Sequence, residues 1–424
     1  MKTDPGSLQG RRILVAVTGS IAAVKTPLLV SALVKAGAEV RCVVTASAAQ
    51  LVSPVALACL SRHSCYQDQD QWDPLQPRPL HIALAEWAEL VIVAPLTAST
   101  LARWTQGLGE GLLASVLLAC ECPVVAAAAM NTGMWRHAAV RRNWIALAED
   151  PRVLPLGPAS GLLACDRIGD GRMASPELIE LAAVHALQCA GADAQLCRDW
   201  QGKSLLVSAG PTLEGVDPAR VLSNRSSGRM GVLMAQAARF RGATVQLVHG
   251  PLQLPAAWLE GLHCHAVESA QQMQDCLLAL QPDADAVVMA AAVADWRRRG
   301  GAARVKAPKQ TFQSTLASEL EPVPDLLAAL QARRPPLQRL LGFAALSGSD
   351  DQIVQAARHK CFAKGCDLLM ANPIDREGQG FGDVANGGWL VAADGAIEEM
   401  PVMDKLALAH RLLDKLQAAI SAGG

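Results

Sequence analysis

No two cysteines in this 424-residue chain stand at Cys-x-x-Cys spacing, although twelve cysteines are present. Cys120 and Cys122 flank only Glu121, and the others are scattered. Metal-ligand spacing is therefore missing, and no structural zinc site is expected. Most of the thiols lie in apolar runs, the ordinary setting of buried, reduced cysteine. Neither sign of charge is in excess: Lys plus Arg total 38 and Asp plus Glu 39. That excludes a global basic field for nucleic acid or anionic lipid. No apolar run reaches the roughly 20 residues that cross a bilayer. The opening MKTDPGSLQGRR lacks the apolar core of a secretory signal. A soluble, cytoplasmic chain is expected, with no nucleic-acid and no membrane partner. A single tyrosine accompanies nine tryptophans, an imbalance that nothing in the sequence explains.

What is present points to a globular protein, with 51% hydrophobic and 18% charged residues. The length exceeds one ordinary core, so two domains are expected. In the first half ILVAV (13–17), VRCVV (40–44), LVIVA (90–94) and PVVAA (123–127) read as strands, with Ala- and Leu-rich helical segments between them. Apolar runs without alternation are buried on both faces, which means parallel sheet under helices. A helix near 176–188 closes this half. The aperiodic stretch 190–202 reads as a linker. Beyond it, runs at 204–210, 243–250, 285–292, 339–345 and 367–372 resume the pattern, a hairpin turns at Asp394-Gly395, and a final helix spans about 403–420. Both halves are expected to be open, mostly parallel, doubly wound α/β sheets that bind ligands beyond their strand C-termini.

Two turns between strand and helix are built differently. In the first, ILVAVTGSIAAVK (13–25), Gly19-Ser20 stand where strand gives way to helix. Ser20 can cap the helix while neighbouring N–H groups meet a phosphate. TGSIA alone is a weak signal, since capping explains it equally well. A second hydroxyl-rich turn, APLTAST (94–100), follows the third strand and strengthens it. Three further segments carry chemistry: His81 opens a helix in PLHIALAEWAE, Asn131 follows the fourth strand in AAAMNTGMW, and Cys165 lies in the irregular, Gly-rich SGLLACDRIGDGRM. The second turn, SAGPTLEGVDPARVLSNRSSGRMG (208–231), is longer and more specific, a hydroxyl- and glycine-rich loop entering a helix at Gly228. The triple Arg297-Arg298-Arg299 reads as solvated surface in a Gly-containing loop.

These motifs, in this order, resemble the family of bifunctional coenzyme A biosynthesis proteins, in which a phosphopantothenoylcysteine decarboxylase is fused to a phosphopantothenate–cysteine ligase. The resemblance assigns residues 11–188 to a flavodoxin-like, flavin-containing Cys decarboxylase domain, 189–202 to a linker and 203–424 to a Rossmann-like ligase domain. It implies FMN held by Gly19, Ser20, Thr45, Pro95, Thr97 and Ser99. It implies oxidation of the substrate's thiol toward a thioaldehyde, loss of carbon dioxide to an enethiolate, and a proton from Cys165, with His81 assisting acid–base chemistry and Asn131 holding the carboxylate. In the second half Asn224 is expected to act when cysteine attacks the activated acid. CTP with Mg²⁺ is expected against Asp295, Arg304, the turn Pro324-Asp325-Leu326-Leu327, Phe343, Lys360 and Lys364; the metal ligands are left open. The reactants implied are 4'-phosphopantothenate, L-cysteine and CTP, joined through an acyl-cytidylate; the amide is then decarboxylated to 4'-phosphopantetheine. A homo-oligomer is implied as well, trimeric in the flavin half and dimeric in the ligase half. Where the family carries lysines, Arg304 and Arg229 stand here, with Lys306 and Lys309 near Arg304; Gly after the flap cysteine is Asp166, the Asn of the hydroxyl-rich loop is Ser99, and Pro before Ala-Met-Asn is Ala128. Rival readings are a peptide-cysteine decarboxylase, a flavin-prenylating relative, a non-enzymatic binding protein of the same fold, and a chain with one live domain.

Overall fold

The computed structural model of the chain describes residues 8–191, 193–306, 308, 317–382 and 385–421. They form two compact units, one of residues 1–197 with 256–261, the other of 198–255 with 262–424.

The first unit is built on β1 (Arg12–Val17), β2 (Glu39–Val44), β3 (Cys65–Tyr66), β4 (Leu90–Leu96), β5 (Val124–Ala128) and β6 (Val153–Leu156). All pair in parallel, in the order β3-β2-β1-β4-β5-β6. β3 is a two-residue edge strand; without it the order is that of an open flavodoxin-like sheet. Every residue of β4 is buried, and five of the six in β1. That is what unalternating apolar runs require when helices cover both faces. Leu14, Val91, Val93 and Val124 meet Leu84, Leu101 and Leu117 of the covering helices in one core. Beyond β6 the chain forms an antiparallel hairpin, β7 (Ala159–Leu162) and β8 (Ile168–Arg172), with Cys165 in its turn. The segment read as irregular is thus a hairpin. Its period was hidden because Gly161, Gly169 and Gly171 occupy positions where a side chain would show the face.

The second unit continues with β9 (Ser204–Ala209), the small antiparallel pair β10 (Glu214–Asp217) and β11 (Arg220–Leu222), β12 (Thr244–His249), β13 (His263–Ala266) and β14 (Ala286–Met289). A second antiparallel pair is β15 (Trp296–Arg298) with β16 (Leu320–Pro322). Then come β17 (Arg339–Leu346), β18 (Leu368–Pro373), β19 (Ala385–Ala392) and β20 (Ile397–Asp404). The large sheet runs β13-β12-β9-β14-β17-β18-β19-β20, parallel through β18 and antiparallel in its last two strands. The expected hairpin is β19–β20, with Gly395 at φ 86 in its turn.

Two expectations change. The triple Arg297-Arg298-Arg299 is not plain solvated surface: Arg297 pairs with Glu321 at 2.9 Å and Arg298 with Glu319 at 2.5 Å, across and beside the β15–β16 ladder. Within the stretch read as a linker, Trp200 is fully buried, and Asp199 binds the buried Arg241 in two hydrogen bonds of 2.8 and 2.5 Å. The last residues of that stretch are therefore packed into the second unit. A large aromatic needs such a place, whatever the periodicity around it.

Candidate active sites

In the first unit three hydroxyl-bearing turns stand at the carboxyl ends of adjacent strands β2, β1 and β4. Thr45, after β2, caps the helix Ala46–Ala49 by accepting the Ala48 N–H at 3.3 Å. Ser20, after β1, accepts the Ala22 N–H at 3.4 Å. Thr97, after β4, caps Ala98–Thr105 by accepting the Thr100 N–H at 3.4 Å. Thr18, unmarked in the sequence reading, ties two of these turns together. Its hydroxyl donates to the Pro95 carbonyl at 2.7 Å and accepts the Thr97 N–H at 3.1 Å. Its neighbour Gly19 is sterically obligatory, because a Cβ there would lie 2.4 Å from Cβ of Ser47. The turn therefore presents bare backbone to its surroundings, as a phosphate-bearing group requires. Ser99 is exposed on the first turn of its helix. These residues fit the flavin phosphate that the sequence implied.

Asn131 and Cys165 meet although they are 34 residues apart. Asn131 caps the helix Thr132–Arg136, its Oδ1 accepting the Gly133 N–H at 2.8 Å, while its Nδ2 donates to Sγ of Cys165 at 3.4 Å. The β7–β8 hairpin makes this contact. Met130 N–H donates to the Gly171 carbonyl at 3.0 Å, and a Cβ on Gly171 would come 2.3 Å from the Met130 carbonyl oxygen. Gly169 packs on Thr132 in the same way, where a Cβ would lie 2.6 Å from the threonine hydroxyl. Cys165 is exposed, whereas burial pushes the Cys65 thiol, near Asp70 as well, up to about 12. Burial does the same to Cys366, beside Cys361 and Asp367, again to about 12. Those two thiols stay protonated at neutral pH. His81 is half-buried at the second position of the helix Leu80–Trp87, which leads into β4 and so begins toward the carboxyl edge of the sheet. Among the described residues no hydrogen bond joins it to Asn131 or Cys165.

The second unit holds a cavity of about 570 Å³ at the carboxyl ends of β9, β14, β17 and β18, a size suited to a small-molecule reactant. Asn224 lines it, its Nδ2 donating to the carbonyls of Ala292 at 3.3 Å and Val293 at 2.9 Å. Ser226, Ser227 and Gly228 follow; the serine hydroxyls accept the N–H groups of Gly228 and Arg229, and Gly228 has φ 79. Asp295, the turn Pro324–Leu327, Phe343, Lys360 and Lys364 all line the same cavity. Lys364 forms an ion pair with Asp325, which also caps the helix Leu326–Ala332. Arg229, in place of the expected lysine, is buried in the wall. Arg304 is the exception: it is exposed just past the bond from Ala303 N–H to the Val216 carbonyl, and it is not part of the cavity wall. Lys306 is exposed too, and Lys309 lies outside the described residues. The remaining wall was not foreseen: Asn372, Ile374, Gly380, Phe381, Gly382, Asn386 and Lys405. Four cations, Arg229, Lys360, Lys364 and Lys405, face two carboxylates, Asp295 and Asp325, so the lining favours a polyanion.

Known proteins match both halves. A family described as "Flavoprotein" matches residues 1–186, and one described as "DNA/pantothenate metabolism flavoprotein C-terminal domain" matches residues 200–420. The chain is 37% identical over 415 residues to the coenzyme A biosynthesis bifunctional protein CoaBC of Bacillus subtilis, covering 97% of this chain and 98% of that one. It is 35% identical over 418 residues to the protein of the same name from Vibrio vulnificus, covering 97% and 98%. Among solved structures, the C-terminal domain of a CoaBC protein matches with a TM-score of 0.43 and 30% identity, covering 53% of this chain and 99% of that one. A PPC decarboxylase mutant complexed with pantothenoylaminoethenethiol matches with a TM-score of 0.39 and 33% identity, covering 41% and 97%.

Proposed function

The chain belongs to the family of bifunctional coenzyme A biosynthesis proteins, and we propose how its own residues divide the two reactions. The flavoprotein half is the phosphopantothenoylcysteine decarboxylase and the other half is the phosphopantothenate–cysteine ligase.

In the decarboxylase half, Gly19, Ser20, Thr45, Pro95, Thr97 and Ser99 would hold FMN. FMN, when bound, supplies the two-electron oxidation of the substrate's cysteine side chain and its reversal. Asn131 orients the departing carboxylate with an amide, which fixes its direction without neutralising its charge. Cys165, within reach of that amide, delivers the proton to the carbon that carbon dioxide leaves. His81 assists proton movement at the substrate thiol. The observation that carries this assignment is the 3.4 Å contact of Asn131 with Cys165, made by two segments that the sequence marks independently. Self-association of this half into the trimer implied by the resemblance belongs to the same reading.

In the ligase half, CTP with Mg²⁺ would occupy the cationic cavity. Esterifying the carboxylate of 4'-phosphopantothenate with the cytidylate makes it electrophilic, and the amine of L-cysteine then displaces CMP. Asn224 holds the reacting end; Lys360 and Lys364, one helical turn apart, serve the phosphates together with Arg229. No residue of this chain is assigned to the metal. Steadying of the triphosphate by Arg304 needs movement from its exposed position. The test is purified protein with phosphopantothenate, cysteine and either CTP or ATP. Release of CMP at least ten times faster than AMP supports the reading; equal rates, or none, refute the nucleotide assignment.

A further inference from the structure

Lys405 is 4% exposed, a rare state for a lysine, and its Nζ donates to the carbonyl of Gly380 at 2.9 Å. Both residues line the ligase cavity. The topology explains how a residue so late in the chain arrives there. β19 runs antiparallel to β18 and β20 returns, so the residue after β20 emerges beside the carboxyl end of β18. Asn372, next to last in β18, is in register with Ala345 of β17, two residues past Phe343, and its Nδ2 donates to the Gly387 carbonyl at 3.2 Å. The cavity thus has two sides. Asn224 and the serine loop stand over β9 and β14; Phe343, Asn372 and Lys405 stand over β17 to β20, the side of the expected nucleotide contacts.

The loop 374–382 closes that second side. Its start is fixed where Ile374 N–H meets the Leu346 carbonyl at 2.9 Å and Asp375 accepts the Gly348 N–H at 2.9 Å. Farther on, Gly378, Gly380 and Gly382 have φ of 78, 104 and 83, a run of left-handed positions in glycine backbone that has many other conformations open to it. A cation that grips the middle carbonyl fixes the run against the cavity.

We propose that Lys405 is a positioning residue of the ligase reaction: its ammonium latches the Gly380 carbonyl, so that Gly380–Gly382 with Phe381 forms the outer wall of the nucleotide subsite. The proposal rests on the ligase reading, and it adds that the C-terminal hairpin, so far without a role, completes the site. Lys405→Met keeps length and apolar volume while removing the donor and the charge. In the full chain it is expected to raise the KM for CTP at least ten-fold, with kcat and the KM for cysteine within three-fold. Without any nucleotide, hydrogen exchange of the amides in 374–382 is expected to be at least five-fold faster, with β9 and β14 unchanged. Phe381, 43% exposed, gives a second variant that does not disturb the core: Phe381→Ala should raise the KM for CTP about five-fold and leave the KM for cysteine alone. Unchanged loop exchange in a folded Lys405→Met protein overturns the latch, and an unchanged KM for CTP in Phe381→Ala overturns the wall. Failure of the wild-type chain to use CTP refutes the nucleotide assignment instead, and the exchange comparison still decides the latch.

Discussion

At Asn131 one amide does two things. Its oxygen accepts the N–H of Gly133 and fixes the rotamer; its nitrogen is thereby aimed at the sulfur of Cys165. Replacing the nitrogen by oxygen keeps the cap and reverses the chemistry, because a carboxylate repels the carboxylate to be lost. Asn131→Asp is therefore expected to lower kcat for decarboxylation at least 100-fold, about 2.7 kcal/mol of transition-state stabilisation. The flavin absorbance and the CMP-releasing reaction should stay as in the wild type; loss of bound flavin would instead make Asn131 a scaffold residue. Next to the thiol, Asp166 has φ 58, a left-handed position where the resembling family carries glycine. Aspartate is among the few residues with a side chain that tolerate it, so this departure leaves the hairpin turn intact. Arg229 likewise keeps its cationic place in the cavity wall. Arg304 does not share that place.

Among the elements, the β7–β8 hairpin does most to build a site, and two glycines dock it. Gly171→Ala puts a methyl group 2.3 Å from a backbone oxygen that cannot rotate away. The hairpin should lift from Met130, carrying Cys165 out of reach of Asn131. Decarboxylation is expected to fall at least 100-fold while FMN still binds; an active Gly171→Ala enzyme would mean that Cys165 works without this docking. The buried strands β1, β2, β4 and β5 were legible because each is a continuous apolar run with no competing helical period. The short elements were not. β3 has two residues, β13 is the largely exposed HCHA, and β15 with β16 is stabilised by arginine–glutamate pairs that resemble a solvated charge run. Motif text revealed Asn131, Cys165 and Asn224, since their neighbours are glycines and hydroxyls with few other uses. Asn372 and Asn386, on different strands, and Lys405, at the start of the last helix, stand in ordinary surroundings, and only the sheet's pairing order brings them to one cavity. Thr18 was hidden for a related reason: its role lies in a contact to Pro95, 77 residues away.

For the molecule as a whole, two units with separate cores carry the two chemistries, a hydroxyl-lined set of turns with a thiol flap in one and a cationic cavity in the other. An amide made in the second unit is the substrate of the first. The most direct test supplies phosphopantothenate, cysteine and CTP together to the purified, flavin-loaded chain and to its Cys165→Ser variant, and weighs the products by mass spectrometry. The wild type should form 4'-phosphopantetheine, and the variant should stop at 4'-phosphopantothenoylcysteine while releasing CMP at the wild-type rate. Phosphopantetheine formed as fast by the variant, or neither product formed by the wild type, would contradict the account.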